Sequence, residues 1–338
     1  MNFFIKFFIC GILTSLLFPP FFLIPIGFII YPYLFYLINQ KKFSILKFRQ
    51  HFLAGFSYGV GFLCIYLGWI KEPFLLDDST KKFSIFSYLL IFYCSLYFGL
   101  IFLFLQTIKN YFLKLLAFPL LIVISEFICA NFIYGFPWIS HSIIHAENTF
   151  GLSLIYYIGS YGLSYITILF FLLPTFLFFN NFKFYKFILF FIFLIFIIVI
   201  FLIISRINKT YDREDEIVEI SMAQINFPMN QNLDNNTIKV KYDYILNTIQ
   251  NNKSDILIFG ENNFPYLIEN NDKIISLQKN LAANTNLILG LTRKENKNYY
   301  NSLYAINNSI IKKFDKSILV PFGEFIPFRN LFKFMEYI

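Results

Sequence analysis

Between residues 3 and 204 the chain is a succession of apolar runs, each near the roughly 20 residues that an α-helix needs to cross the hydrocarbon core of a bilayer. They fall at about 3–18, 21–38, 52–70, 85–108, 111–129, 152–179 and 185–204, which predicts seven spans. Only 14% of the residues are charged, against about 25% in a soluble domain, so membrane segments dominate the chain. Residues 3–18 carry Lys6 near their start but run into the next span with no small-residue cleavage site. They are read as a retained first helix and not as a signal peptide. Pro19-Pro20 forces a turn, and Pro25 and Pro32 can kink the second span.

The loops set the orientation. Lys41, Lys42, Lys47, Arg49, Lys109, Lys114, Lys183 and Lys186 follow spans two, four and six. The opposite side offers only Lys71, Lys81 and Lys82, balanced by Glu72, Asp77 and Asp78. Eight basic residues against three put the even-numbered loops and the N-terminus in the cytoplasm. Residue 205 onward then emerges on the outer face, the periplasm of a Gram-negative cell. The net charge of +8 belongs to this pattern; the basic residues are scattered, with no basic motif, which argues against nucleic acid as a partner.

After Arg206 a soluble pattern begins. Residues 217–224 read as a strand, 237–251 as a helix, 255–259 as a strand and 271–284 as a helix, with further strands at 286–292, 299–306 and 309–314. Strands alternating with helices predict a layered α/β domain. Glu261 stands just past the end of the apolar strand Asp255–Phe259, where α/β sheets gather functional residues. Lys316 precedes Ile318-Leu319-Val320, read as a short buried strand closed by Pro321-Phe322-Gly323, and Glu324 follows. A lysine leading into a buried strand is costly unless paired or used. Glu126, an ionisable residue inside a span, is a functional suspect by default. Cys10, Cys64, Cys94 and Cys129 lie in apolar stretches without CxxC spacing, so neither a disulfide framework nor a nucleophile is expected among them. His51, His141 and His145 are too scattered to define a metal site, and no metal is expected.

The segment from Lys316 to Pro327, KSILVPFGEFIP, resembles the lysine motif of the bacterial apolipoprotein N-acyltransferases, membrane enzymes with a nitrilase-like catalytic domain. MAQINFPMNQ around Gln224, YYNSLYAI around Asn301 and GFPW at Gly135–Trp138 are similar to other parts of that family. Two positions depart from it: Phe259-Gly260 stands where Trp-Pro is usual, and Cys129 where an arginine often follows the intramembrane glutamate. The resemblance implies a polytopic α-helical membrane domain over 1–204 and, over 205–338, the first part of a periplasmic α/β domain of the α-β-β-α sandwich type, incomplete at its C-terminus. It implies catalytic roles for Glu261 as general base and Lys316 as oxyanion partner, supported by Glu324 and Asn301. The family's nucleophile is a cysteine well downstream of LVPFGE, and the chain ends at Ile338 before any such residue. The expectation is therefore a chain of this lineage that is inactive by itself. The implied partners are a phospholipid acyl donor and a diacylglyceryl-modified apolipoprotein at the bacterial inner membrane, and no cofactor is implied. A membrane-tethered amidohydrolase using the same chemistry on water, and a non-catalytic remnant of such an enzyme, are the alternatives.

Overall fold

The structure is a computed structural model that describes residues 3–75, 78, 80–132, 135–175, 194, 197–198, 201–202, 217–225, 234–282, 284–320 and 325. The chain divides into two units, Met1–Asp212 and Arg213–Ile338.

In the first unit the main helices among the described residues are α1 (Phe3–Ser15), α2 (Gly27–Asn39), α3 (Phe48–Tyr66), α4 (Ile85–Thr107), α5 (Tyr111–Asn131) and α6 (Thr149–Phe171). Among the described residues three apolar segments are long enough to cross a membrane: Lys81–Thr107, Tyr111–Asn131 and Gly151–Phe171. A fourth span is available if Phe48–Tyr66 and Gly68–Leu75, bent by 60°, act together. The first two expected spans form helices of 13 residues each, shorter than the apolar runs that contain them. Proline is the reason: Pro19-Pro20 closes off α1, and Pro25 sits in the 3-10 turn Ile24–Ile26 ahead of α2. The seventh expected span, 185–204, and the end of the sixth fall largely outside the described residues.

Lipid supplies no hydrophobic drive between helices, so close packing must hold them together. α1 and α3 meet backbone to backbone at Gly11 and Gly61, where a Cβ would run into the carbonyls of Tyr58 and Phe8. Around that seam the core is aromatic, with Phe7, Phe18, Tyr58, Phe62 and Phe102 buried. Asn110 starts α5 by accepting the Leu113 N–H at 3.0 Å. Gly159 breaks the helical backbone of α6, with φ at 68°.

In the second unit the described strands form one five-stranded sheet in the order β1-β2-β3-β4-β5. Its strands are β1 (Ile220–Ala223), β2 (Ile256–Phe259), β3 (Asn286–Glu295), β4 (Asn298–Ile306) and β5 (Ile311–Asp315). β1, β2 and β3 run parallel, joined through the helices α7 (Asn235–Asn251) and α8 (Asp272–Lys279); β3, β4 and β5 are antiparallel. Ile245 and Ile249 of α7 and Ile274 and Leu277 of α8 bury against Leu257, Leu287, Leu289 and Leu291 of the sheet. Asp234 caps α7, accepting the Thr237 N–H at 2.8 Å. The β3–β4 turn places Asn296 in the left-handed region, φ 56°, where asparagine is tolerated better than most residues. The fold class read from sequence, a polytopic helical membrane domain with a nitrilase-like α/β region, is the one observed.

Two elements differ from the sequence reading. The helix expected over 271–284 ends at Lys279, because Asn280 closes it with its N–H on Leu277 and its side-chain amide on Ser276. Ile318-Leu319-Val320 is not a buried strand: Ile318 is 80% and Val320 53% exposed. The β4–β5 ladder ends at Asp315, and the Lys316 N–H bonds to the Asn301 carbonyl just beyond it.

Candidate active site

The site begins where β2 stops pairing with β3. The last paired residues are Ile258 and Ile288; the chain then leaves the sheet at Gly260 and returns to β3 at Phe264. The return is held by main-chain bonds, Phe264 N–H to Gly290 O at 3.3 Å and Ile268 N–H to Thr292 O at 3.0 Å. In between, Asn262 takes a positive φ of 52° and its side chain accepts from the Thr292 hydroxyl at 3.1 Å. Asn263 accepts the Ile225 N–H at 3.3 Å, tying the same turn to the end of β1. The turn lies so close to β3 that a Cβ on Gly290 would stand 2.7 Å from Glu261 Cα and 2.8 Å from Gly260 O. Glycine is required there by clearance and not by backbone angle.

Glu261 projects from this turn, 59% exposed, and two donors converge on its Oε1. One is Lys316 Nζ at 3.1 Å, the other the Asn301 side-chain amide. These residues lie 55 and 40 positions away in sequence, on a strand end and a neighbouring strand. Asn301 serves both partners, since its carbonyl also accepts the Lys316 N–H at 2.8 Å. Three of the residues singled out in the sequence are thus brought together; the fourth, Glu324, lies outside the described residues.

The sequence reading missed what holds Lys316 in place. Arg293 on β3 is buried, 6% exposed, and grips Asp315 with Nε to Oδ1 at 2.9 Å and Nη2 to Oδ2 at 2.6 Å. Ser302 donates to Asp315 Oδ1 at 2.6 Å, Glu295 accepts from the same guanidinium, and the Tyr300 ring packs on it at 4.0 Å. The Arg293 guanidinium beside it, together with Ser302, holds the Asp315 carboxyl down at about 2. A lone arginine among β-strand residues is the signal that was present, since a buried guanidinium demands a carboxylate.

In the membrane unit Glu126 has a partner other than the usual arginine. Its Oε1 accepts from His141 twice, from the backbone N–H at 3.0 Å and from ring Nδ1. Cys129 instead touches Cys94, with Sγ atoms 3.6 Å apart. All four cysteines of the chain lie in this unit, and Cys10, Cys94 and Cys129 are buried free thiols. Among the described residues no group of three or more His, Cys, Asp or Glu side chains is placed to hold a metal ion.

A carboxylate beside an ammonium at a strand end, with an amide fixing its orientation, can take a proton from an incoming acid and stabilise an oxyanion nearby. Comparison with known proteins gives this arrangement a context. A family model for the apolipoprotein N-acyltransferase N-terminal domain matches residues 10–173. An apolipoprotein N-acyltransferase of Rhodopseudomonas palustris is 25% identical over 348 aligned positions, covering 96% of this chain and 65% of the relative. One from Aquifex aeolicus is 27% identical, over 90% of this chain and 67% of the relative. One from Rhizobium leguminosarum bv. trifolii reaches 38% identity over 88 residues, 23% of this chain and 16% of the relative. The chain spans about two thirds of the length of the longer-matching relatives.

Proposed function

Because the chain belongs to the apolipoprotein N-acyltransferase family, we propose that Glu261, Asn301 and Lys316 are part of the site at which such an enzyme moves an acyl group. In this reading residues 205–338 are the first part of the nitrilase-like domain and stand on the outer side of the inner membrane, where the loop charges put them. The acyl donor is a phospholipid and the acceptor is the N-terminal amine of a diacylglyceryl-cysteine lipoprotein. The convergence of Lys316 and Asn301 on one oxygen of Glu261 carries the proposal.

The family's chemistry proceeds in two acyl transfers. A cysteine thiol loses its proton to Glu261 and attacks the phospholipid ester carbonyl; the tetrahedral oxyanion collapses to a thioester as Glu261 returns that proton to the departing lysophospholipid oxygen. The lipoprotein amine then attacks the thioester and gives up its proton to Glu261, an amide forms, and the sulfur leaves and is reprotonated from Glu261. Lys316 faces the developing oxyanion in both steps, and Asn301 keeps the carboxylate turned toward it. No cysteine occurs in residues 205–338, so the attacking thiol of this reading is not among them.

The experiment is rescue of a strain depleted of its own acyltransferase, using the genomic reading frame continued past codon 338. Mass spectrometry of a lipoprotein N-terminus separates amine acylation from hydrolysis. Lys316→Met should lower turnover by about 100- to 1,000-fold, the loss typical of a removed oxyanion donor. Glu261→Gln keeps the side-chain shape and removes the base, and it should fail to rescue. Full rescue by either variant would reject the assigned roles.

A further inference from the structure

The unabsorbed feature of the membrane unit is a buried polar cluster. Glu126 on α5 is 1% exposed, and His141 in the turn His141–His145 and Tyr31 on α2 are fully buried. Ring Nδ1 of His141 is hydrogen-bonded to Glu126 Oε1 and ring Nε2 to the Tyr31 hydroxyl, 2.5 Å away, so the imidazole bridges the two side chains. Phe18 and Phe62 close over the imidazole, with ring centroids at 5.2 and 6.2 Å. Glu126 Oε2 has no hydrogen-bond partner among the described residues, so Oε1 alone makes both bonds to His141. In a low-dielectric interior such a carboxylate persists only where its partners are fixed.

The position of His141 gives the cluster its consequence. The chain leaves α5 at Asn131, and after Gly135-Phe136-Pro137-Trp138 it returns to the bundle at His141. Glu126 therefore ties the far end of that loop, by main chain and side chain together, to the helix from which the loop departed. Trp138 is the exposed tip, 54% accessible. It packs edge-on against Trp69 at 5.3 Å, and its carbonyl accepts the Tyr66 hydroxyl at 2.8 Å.

We propose that Glu126 and His141 are positioning residues for this loop: the carboxylate–imidazole clasp, seated on Tyr31, fixes Trp138 against the Trp69 segment. The clasp stands independently of the acyl-transfer reading, because it is defined by the position of the loop and not by turnover.

The chain contains two tryptophans, Trp69 and Trp138, which makes the loop directly observable. The full chain is reconstituted in lipid nanodiscs in a Trp69→Phe background, leaving Trp138 as the one tryptophan, and acrylamide quenching is measured with excitation selective for tryptophan over the tyrosines. Glu126→Leu and His141→Leu should each raise quenching about two-fold or more, as for a segment that opens locally, with far-UV helix content unchanged. Glu126→Gln and His141→Asn keep an acceptor and a donor in place and should stay near the parent. The double leucine variant should quench no more than either single one, since both break the same contact. Unchanged quenching in the leucine variants would overturn the proposal, and so would additivity in the double variant. Loss of helix content in the two conservative variants would also overturn it, because the pair would then serve the folding of the whole bundle.

Discussion

Each unit has a glutamate held by side chains far away in sequence, and the two are built on opposite terms. Glu126 is 1% exposed, its partner His141 is fully buried, and aromatic rings surround them. Glu261 is 59% exposed and its partner Lys316 32%, at the open end of a sheet. A charge removed from water must be matched by fixed donors, so the first cluster is committed to structure. An exposed pair contributes about 0–1 kcal/mol, so the second is almost free of structural duty. A carboxylate that must meet an outside molecule can occupy only the second kind of place.

The strongest test of that contrast is to remove each carboxylate in turn. Glu126→Leu strands the two N–H groups of His141 in an apolar interior, at about 1–3 kcal/mol for each unpaired group, and should loosen the loop that ends at His141 while the helices stay formed, read as a lower melting temperature in detergent. Glu261→Leu should leave the melting temperature where it was and, in the proposed reading, should abolish the rescue given by the frame continued past codon 338. Equal melting temperatures for the two variants would end the distinction between a structural and an accessible glutamate.

A second test sharpens it from the backbone. Gly290→Ala puts a Cβ against main-chain atoms of Gly260 and Glu261, which cannot swing away as a side chain would. The turn must shift, at a cost of about 1–3 kcal/mol, and Glu261 should lose its register with Lys316. Activity should fall well beyond the loss in stability; parallel losses would mean that Gly290 serves packing only.

The smallest effect concerns acid. Asp315 has its carboxyl at about 2 in the folded chain, below its ordinary value near 3.8. Its contribution is therefore complete above about pH 4 and drains away as the pH falls toward 2. Amide exchange in β4 and β5 should quicken across that window, and Asp315→Asn should show fast exchange already at pH 5. The Glu261 cluster would feel this change only through Lys316, the next residue along.

What the sequence made legible follows the same division. Glu261, Asn301 and Lys316 were readable because their surrounding words, a strand end and the KSILVPFGE run, are local. The Arg293–Asp315 grip was not, because it depends on the β3–β4–β5 register, which sets Arg293 opposite Tyr300 and Asp315 opposite Ser302. The partner of Glu126 was not legible either, because Cys129 stands where an arginine often follows the intramembrane glutamate. It comes from 15 positions on, because the loop folds back onto its own helix. The apolar run Ile318–Val320 misled for a related reason: period and composition describe a residue's preference for burial, while burial itself needs a neighbouring layer.

The bond from the Lys316 N–H to the Asn301 carbonyl makes the chemistry facing Glu261 a question of phase along β5. Sliding β5 by one residue on β4 would offer Asp315 or Ser317 where Lys316 now stands, exchanging a cation for an anion or a neutral hydroxyl. Arg293 and Ser302, by seizing Asp315, act as the index pin against that slide. A one-residue insertion between Ile306 and Ile311, harmless in most hairpin loops, would thus be felt at Glu261 as a change in the sign of the charge beside its carboxylate if the pin gave way.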